Sequence, residues 1–86
     1  MDNVSLLQGT LSSLTEVTAE KTSQSFAQMV VETILQSLKR KFSFLSTVYF
    51  DSNQQPLVPG KVNELDETEL AKAIEAIIRL VYMNLE

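Results

Sequence analysis

The segment from residue 70 to residue 85 constrains the fold most, because its apolar side chains cover well over half of a helical wheel. These side chains are Leu70, Ala71, Ala73, Ile74, Ile77, Ile78, Leu80, Val81, Tyr82 and Leu85. Only Lys72, Glu75 and Arg79 form a polar strip, at spacings that allow ion pairs within one helix. A helix with so much apolar surface has to be covered on more than one side.

The residues just before this segment are typical of a helix start. Asp66 is suited to be the N-cap, Glu69 completes a capping box, and Leu65 is placed to act as a hydrophobic staple. Glu67 and Glu69 also complement the positive end of the helix dipole. The pattern predicts a helix over residues 66–86 and gives its first acidic residues a structural role.

Two further amphipathic segments precede this helix. A helix over residues 4–20 is predicted by apolar residues on one side of the wheel, namely Val4, Leu6, Leu7, Leu11, Leu14 and Val17. The apolar stripe lapses after Thr18, where Thr22 or Ser23 is suited to cap a new helix. That second helix is predicted over residues 24–45 by Phe26, Ala27, Val30, Val31, Ile34, Leu35, Leu38, Phe42 and Leu45.

The stretch between the second and third helices has a different character. β-Branched and aromatic residues at 47–50 favour a strand, and Asp51-Ser52-Asn53 favours a turn. Leu57-Val58 can pair back as a second strand, since proline and glycine flank it. A short β-hairpin over residues 47–58 and an irregular loop both fit this pattern.

Together these elements predict a mainly α fold, a three-helix bundle-like domain with a short extended or β-hairpin excursion between helices 2 and 3. A chain of 86 residues has room for a single domain, expected over residues 1–86. The sequence stops at Asn84-Leu85-Glu86 while still helical in pattern, without a terminating Gly or Pro, which suggests a truncated piece.

The residue types that most enzymes use are missing from the sequence. It has no His and no Cys, which excludes a Ser-His-Asp triad, a Cys-His pair and a zinc site of ordinary ligation. Gly9 and Gly60 are too far apart to form a phosphate-binding loop. We therefore expect no catalytic residue, no cofactor and no metal, and we expect that the chain is not an enzyme.

Two charged clusters allow a functional and a structural interpretation. Four carboxylates resemble an acid-base pair or a divalent-cation site, which leaves a carboxylate-only enzyme as one alternative: Glu64, Asp66, Glu67 and Glu69. Helix capping explains three of them without any chemistry. The only basic run, Lys39-Arg40-Lys41, spreads around a helix at about 100° per residue and is expected to complement the negative end of the second helix.

Charge and hydropathy limit the partners and the location. A formal charge of −4 argues against a nucleic-acid partner, which requires a clustered positive surface. No stretch approaches the roughly 18 uncharged apolar residues of a membrane span, and the beginning of the sequence lacks the pattern of a secretory signal. We therefore expect a soluble, cytoplasmic protein.

The apolar excess of the last helix also suggests what the chain does. We expect a non-enzymatic protein-protein interaction or oligomerisation module, regulatory or adaptor-like, that binds a protein partner or itself as a homodimer. The predicted interface consists of Ile74, Ile77, Ile78, Val81 and Tyr82, with Leu35, Leu38 and Phe42 as the facing layer. The alternative is a sensory or ligand-binding fragment with an apolar pocket near Phe44, Tyr49, Phe50 and Met83.

Overall fold

The computed structural model describes residues 2–85 and has three α-helices, with a two-stranded sheet between the second and the third. The α-helices are α1 (Asn3–Lys21), α2 (Gln24–Leu38) and α3 (Glu67–Leu85). Between α2 and α3 lie two 3₁₀-helices, Ser43–Thr47 and Gly60–Glu64, and the strands β1 (Tyr49–Phe50) and β2 (Pro56–Leu57). The predicted mainly α fold, a small helical bundle with a β-hairpin excursion, is confirmed.

α1 and α2 form an antiparallel pair because only Thr22 and Ser23 separate them. The Thr22 N–H donates to the Thr18 carbonyl at 3.1 Å, which ends α1. The hydroxyl of Ser23 accepts a hydrogen bond from the N–H of Phe26 at 3.2 Å. Of the two predicted caps, the structure therefore uses Ser23 for α2.

α1 is helical although Ser and Thr, which are weak helix formers, are frequent in it. Thr15 and Thr18 are buried, and their hydroxyls donate to the carbonyls of Leu11 and Leu14 at 2.7 and 2.8 Å. Leu7 and Leu11 are fully buried in the core. Burial of these leucines, at roughly 1.5–3 kcal/mol for each side chain, offsets the low helix propensity of their neighbours.

The second helix is shorter than predicted, since it ends at Leu38 and not at residue 45. The Leu38 carbonyl accepts hydrogen bonds from the N–H groups of Lys41 (3.1 Å) and Phe42 (2.8 Å), which turns the chain. Phe42 and Leu45 are nevertheless buried, because the 3₁₀-helix that follows leads back to the core. The prediction was wrong because a spacing of three residues between apolar side chains suits a 3₁₀ turn as well as an α-helix.

The excursion is a β-hairpin and not an irregular loop. Its antiparallel register pairs Tyr49 with Leu57 and Phe50 with Pro56. The Asp51 carboxylate holds the turn by accepting hydrogen bonds from two backbone N–H groups further along the chain, at 2.8 and 3.0 Å. The predicted turn after the first strand therefore depends on a local contact between a side chain and the backbone.

α3 begins at Glu67, directly after the predicted N-cap Asp66. The Asp66 carbonyl accepts a hydrogen bond from the N–H of Leu70 at 3.1 Å. Within residues 2–85, no hydrogen bond joins the Asp66 carboxylate to the N–H of Glu69, so the predicted capping box is not formed. Leu65 packs against the hydrophobic core to which Leu70 belongs. The predicted end at Glu86 lies outside the described residues.

α3 runs parallel to α1, and the three helices surround a common core. The Asn3 side chain donates to the carbonyls of Val62 (3.2 Å) and Leu65 (2.9 Å), which holds the beginning of α3 beside the beginning of α1. Further along, Ile78 lies beside residues 9–14 of α1. The core consists of Leu7, Leu11, Leu14, Val31, Ile34, Leu35, Phe42, Leu45, Val62, Leu70, Ala73, Ile77 and Val81.

Candidate interaction surfaces

The predicted interface residues divide between the core and the surface of the chain. Four of them are buried: Leu35, Phe42, Ile77 and Val81. Two are partly buried against the core: Leu38 and Ile74. The remaining two, Ile78 and Tyr82, are 37% and 51% exposed. Buried side chains have no area left for a partner, so a contact surface on α3 is restricted to the exposed edge that Ile78 and Tyr82 occupy.

A shallow groove with an apolar lining lies between α1 and α3. It is lined by Ser5, Leu6, Gly9, Thr10, Ser13, Leu14 and Ile78. Tyr82 follows one helical turn after Ile78 on the same side of α3. We call this set of residues the α1–α3 face. Leu6 is 44% exposed in it, although the side chain is large and apolar.

None of the side chains that make up the α1–α3 face is charged. Between Asn3 and Thr15 the sequence has only uncharged residues, and the first charge of α1 is Glu16. On α3, Arg79 and Glu75 form an exposed ion pair with each other at 2.8 Å. Interface cores are depleted in charged residues and enriched in aromatic ones. The face shares the lack of charge with interface cores, and Tyr82 is its one aromatic residue.

Small residues make this face accessible to another backbone. Ser5, Gly9 and Ser13 follow one another at four-residue intervals along the groove. A Cβ atom added at Gly9 would meet no other heavy atom within 4 Å, so the space above it is open. A glycine on an exposed helix face permits close approach of a second backbone. The groove can therefore accept a helix or a loop at short range.

A second cleft, of about 240 Å³, lies between β1 and α2. One wall comes from α2 and its C-cap, through Glu32, Leu35, Gln36 and Lys39. The remaining lining residues are Leu45, Ser46, Val48, Tyr49 and Phe50. The α2 residues are spaced so that they share one helical face. We call this site the β1–α2 cleft.

The four residues of the predicted apolar ligand pocket lie in three separate places. Tyr49 and Phe50 line the β1–α2 cleft. Phe44 lines a different groove, together with Val62 of the 3₁₀-helix that precedes α3. Met83 is 62% exposed near the other end of α3. The sequence pattern does not reveal this separation, because it depends on the direction in which α3 runs.

The two charged clusters lie on the surface. In the part of the chain that the structure describes, no group of three or more His, Cys, Asp or Glu side chains could hold a metal ion. Lys39, Arg40 and Lys41 are exposed and follow directly after the carboxyl end of α2, where a positive charge complements the helix dipole. The Lys41 ammonium also lies 5.7 Å from the centre of the Phe42 ring.

Gln8 makes a contact with the hairpin that the sequence pattern does not predict. Its Oε1 accepts a hydrogen bond from the Val58 N–H at 2.9 Å, and its Nε2 donates to the Pro56 carbonyl. A single glutamine inside an amphipathic helix is ordinary, so no sequence signal distinguishes it. Its role depends on the hairpin, which lies far away in sequence.

Neither membrane-spanning helices nor similar known proteins point to a function for the described residues. Among the helices of residues 2–85, none has both the length and the apolar character that crossing a membrane requires. No protein-family model matches the chain, and neither a curated protein nor a solved structure matches it.

Proposed function

We propose that this chain is a non-enzymatic interaction module that forms a homodimer through the α1–α3 face. The observation that carries the proposal is the exposure of Leu6 and Ile78 on an uncharged surface beside Gly9. Covering such side chains contributes roughly 25 cal/mol for each Å² of apolar area removed from water. A partner that covers this face therefore removes the Leu6 and Ile78 side chains from water, and this burial stabilises the complex.

A second copy of the chain suits this face better than a charged partner does. A two-fold axis brings the same patch of both chains into contact, so the patch has to fit itself. Because the face has no charges, two copies can meet there without like charges facing each other in the contact. The projecting Leu6 and Ile78 of one copy can lie over the open space at Gly9 of the other.

The role that we propose for this dimer is regulatory or adaptor-like. In this proposal the module contributes to a process by holding two chains together through the α1–α3 face. A chain that needs no disulfide is stable in a reducing compartment, and we include a cytoplasmic location in the proposal.

The proposal is tested by measuring molar mass with light scattering and sedimentation over a concentration series up to millimolar. The native chain should approach the mass of a dimer as concentration rises. Ile78→Glu should stay monomeric with an unchanged circular dichroism spectrum, because it places a carboxylate in the centre of the face.

The matched control is Met29→Glu, since Met29 is 54% exposed on α2 and is not part of the α1–α3 face. This variant should still form the dimer. A native chain that remains a monomer at every concentration contradicts the proposal, and so does equal loss of the dimer in both variants.

A further inference from the structure

The two outer edges of the β-hairpin differ in their ability to accept another strand. Along β2, Gln8 occupies the backbone groups, through hydrogen bonds from the Val58 N–H and to the Pro56 carbonyl. Pro56 itself has no N–H to donate. The β2 edge is therefore closed by a side chain of α1.

The outer edge of β1 is open. In an antiparallel pair of strands, residue pairs that are hydrogen-bonded to each other alternate with pairs whose backbone groups point outwards. The Asp51 N–H donates to the Gln55 carbonyl at 3.0 Å, so the backbone groups of the neighbouring pair, Phe50 and Pro56, point outwards. On the β2 side, the Pro56 carbonyl does point outwards, because it accepts a hydrogen bond from the Gln8 side chain. On the β1 side, the Phe50 N–H and C=O have no hydrogen-bond partner within residues 2–85.

The open edge of β1 borders the β1–α2 cleft. Tyr49 and Phe50 line the strand side, and Leu35 and Gln36 line the helix side. The volume of about 240 Å³ lies below the roughly 300–1,000 Å³ of small-molecule pockets. The cleft is therefore smaller than a typical small-molecule site.

The two ends of the cleft carry opposite charges. The hairpin turn lies at the beginning of α2, because the Gln54 side chain donates to the hydroxyl of Ser25 at 3.1 Å. β1 therefore runs antiparallel to α2, with Glu32 at the end nearer the turn and Lys39 at the other end. Arg40 and Lys41 follow Lys39 in the sequence but do not line the cleft, so Lys39 supplies the positive charge at that end.

We propose that the β1–α2 cleft binds an extended acidic peptide segment of another protein, which adds to β1 as a third strand. Backbone groups of the segment pair with the N–H and C=O of Phe50, and an Asp or Glu side chain of the segment lies beside Lys39. Alternate side chains of the segment point into the cleft between β1 and α2. The cleft and the α1–α3 face share no residue, so peptide binding does not depend on the proposed dimer.

Selection of a random linear peptide library, displayed on phage, against the immobilised chain tests the proposal. Enriched sequences should be extended in character and contain Asp or Glu. Synthetic copies should shift the NMR signal of the Phe50 amide and bind Lys39→Glu about tenfold more weakly, because charge reversal replaces attraction by repulsion. N-Methylation of the peptide nitrogens that face β1 should abolish binding, because it removes the donors of the ladder.

Matched tryptophan variants on α2 locate the site. Gln36 is exposed and lines the cleft, so Gln36→Trp should fill the cleft and abolish peptide binding. Thr33 is exposed on α2 but does not line the cleft, so Thr33→Trp should bind as the native chain does. The proposal is overturned if no peptide is enriched above blank support, or if Gln36→Trp binds as tightly as the native chain. Ile78→Glu should retain binding, which separates failure of this proposal from failure of the dimer.

Discussion

Gln8 holds Val58 through its side-chain amide, with Oε1 accepting the Val58 N–H at 2.9 Å. The other end of the same amide donates to the Pro56 carbonyl. One side chain of α1 thus replaces a neighbouring strand along β2, because it supplies both an acceptor and a donor. This contact holds the hairpin against the bundle and leaves β1 as the edge that is open to a partner.

Replacement of Gln8 by Ala should loosen the hairpin. The variant removes both hydrogen bonds and leaves the Val58 N–H without its acceptor, so the free energy of unfolding should fall by about 1–3 kcal/mol. Urea unfolding measures this loss, and amide hydrogen exchange should quicken at Val58. Gln36→Ala is the control, since Gln36 is exposed on α2 and should change stability by less than about 0.5 kcal/mol. Equal losses would contradict the role of Gln8.

The adjacent residues Ile77 and Ile78 should respond very differently to truncation. Ile77 is fully buried, so Ile77→Ala should lower the free energy of unfolding by about 2–5 kcal/mol through lost burial and a cavity. Ile78 is 37% exposed, and Ile78→Ala should cost about 1 kcal/mol or less in the monomer. Chemical unfolding at low concentration measures both values. A larger loss for Ile78 than for Ile77 would contradict the packing described for α3.

Gly9→Ala should affect stability and dimerisation in opposite directions. Nothing lies within 4 Å of the added Cβ, and alanine should stabilise an exposed helix position by roughly 0.5–1 kcal/mol over glycine. The same methyl group should weaken the proposed dimer, because it occupies the space that the second copy needs. Thermal unfolding and sedimentation report the two effects.

Gly60→Ala is the matched control for Gly9→Ala. It makes the same chemical change at a position that is equally open, on the segment that leads into α3 and away from the α1–α3 face. The dimer should be unaffected in this variant. If Gly9→Ala forms the dimer as strongly as the native chain does, the two chains do not approach closely at this glycine.

The Asp2 carboxylate should make the stability of the chain depend on pH. It accepts a hydrogen bond from the Ser5 N–H at 2.8 Å, and this bond lowers the pKa of Asp2 below its ordinary value of 3.8. A pKa that is lower in the folded state means that the stabilisation is present above the ordinary value and is lost as the pH falls through the lowered pKa. Asp2→Ala should therefore be less stable than the native chain near neutral pH, and the difference should shrink in acid.

Asp2→Asn is the control for this pH dependence. Asparagine retains an oxygen that can cap α1 but does not titrate, so its capping contribution should stay constant over the acidic range. Chemical unfolding at a series of pH values compares the three proteins. A constant stability difference between native chain and Asp2→Ala down to strongly acidic pH would contradict the capping role of the carboxylate.

The sequence by itself determined the three helices, because the periodicity of apolar side chains records which face of each helix is covered. The predicted helix over residues 4–20 corresponds to Asn3–Lys21, and the predicted starts of α2 and α3 agree within a residue with Gln24 and Glu67. Helix starts are predictable because capping involves residues that are neighbours in the chain. A hairpin and an irregular loop both fit the sequence of residues 47–58, because strands of two residues carry little local signal.

Only the tertiary structure decided where α2 ends, which isoleucine is exposed, and what Gln8 does. Ile77 and Ile78 belong to the same apolar pattern, yet one is fully buried and the other is 37% exposed, because α1 and α2 cover different parts of α3. Gln8 acquires its role only when packing brings β2 beside α1. Such contacts join segments distant in sequence, and local periodicity records that a residue prefers burial but not which element will cover it.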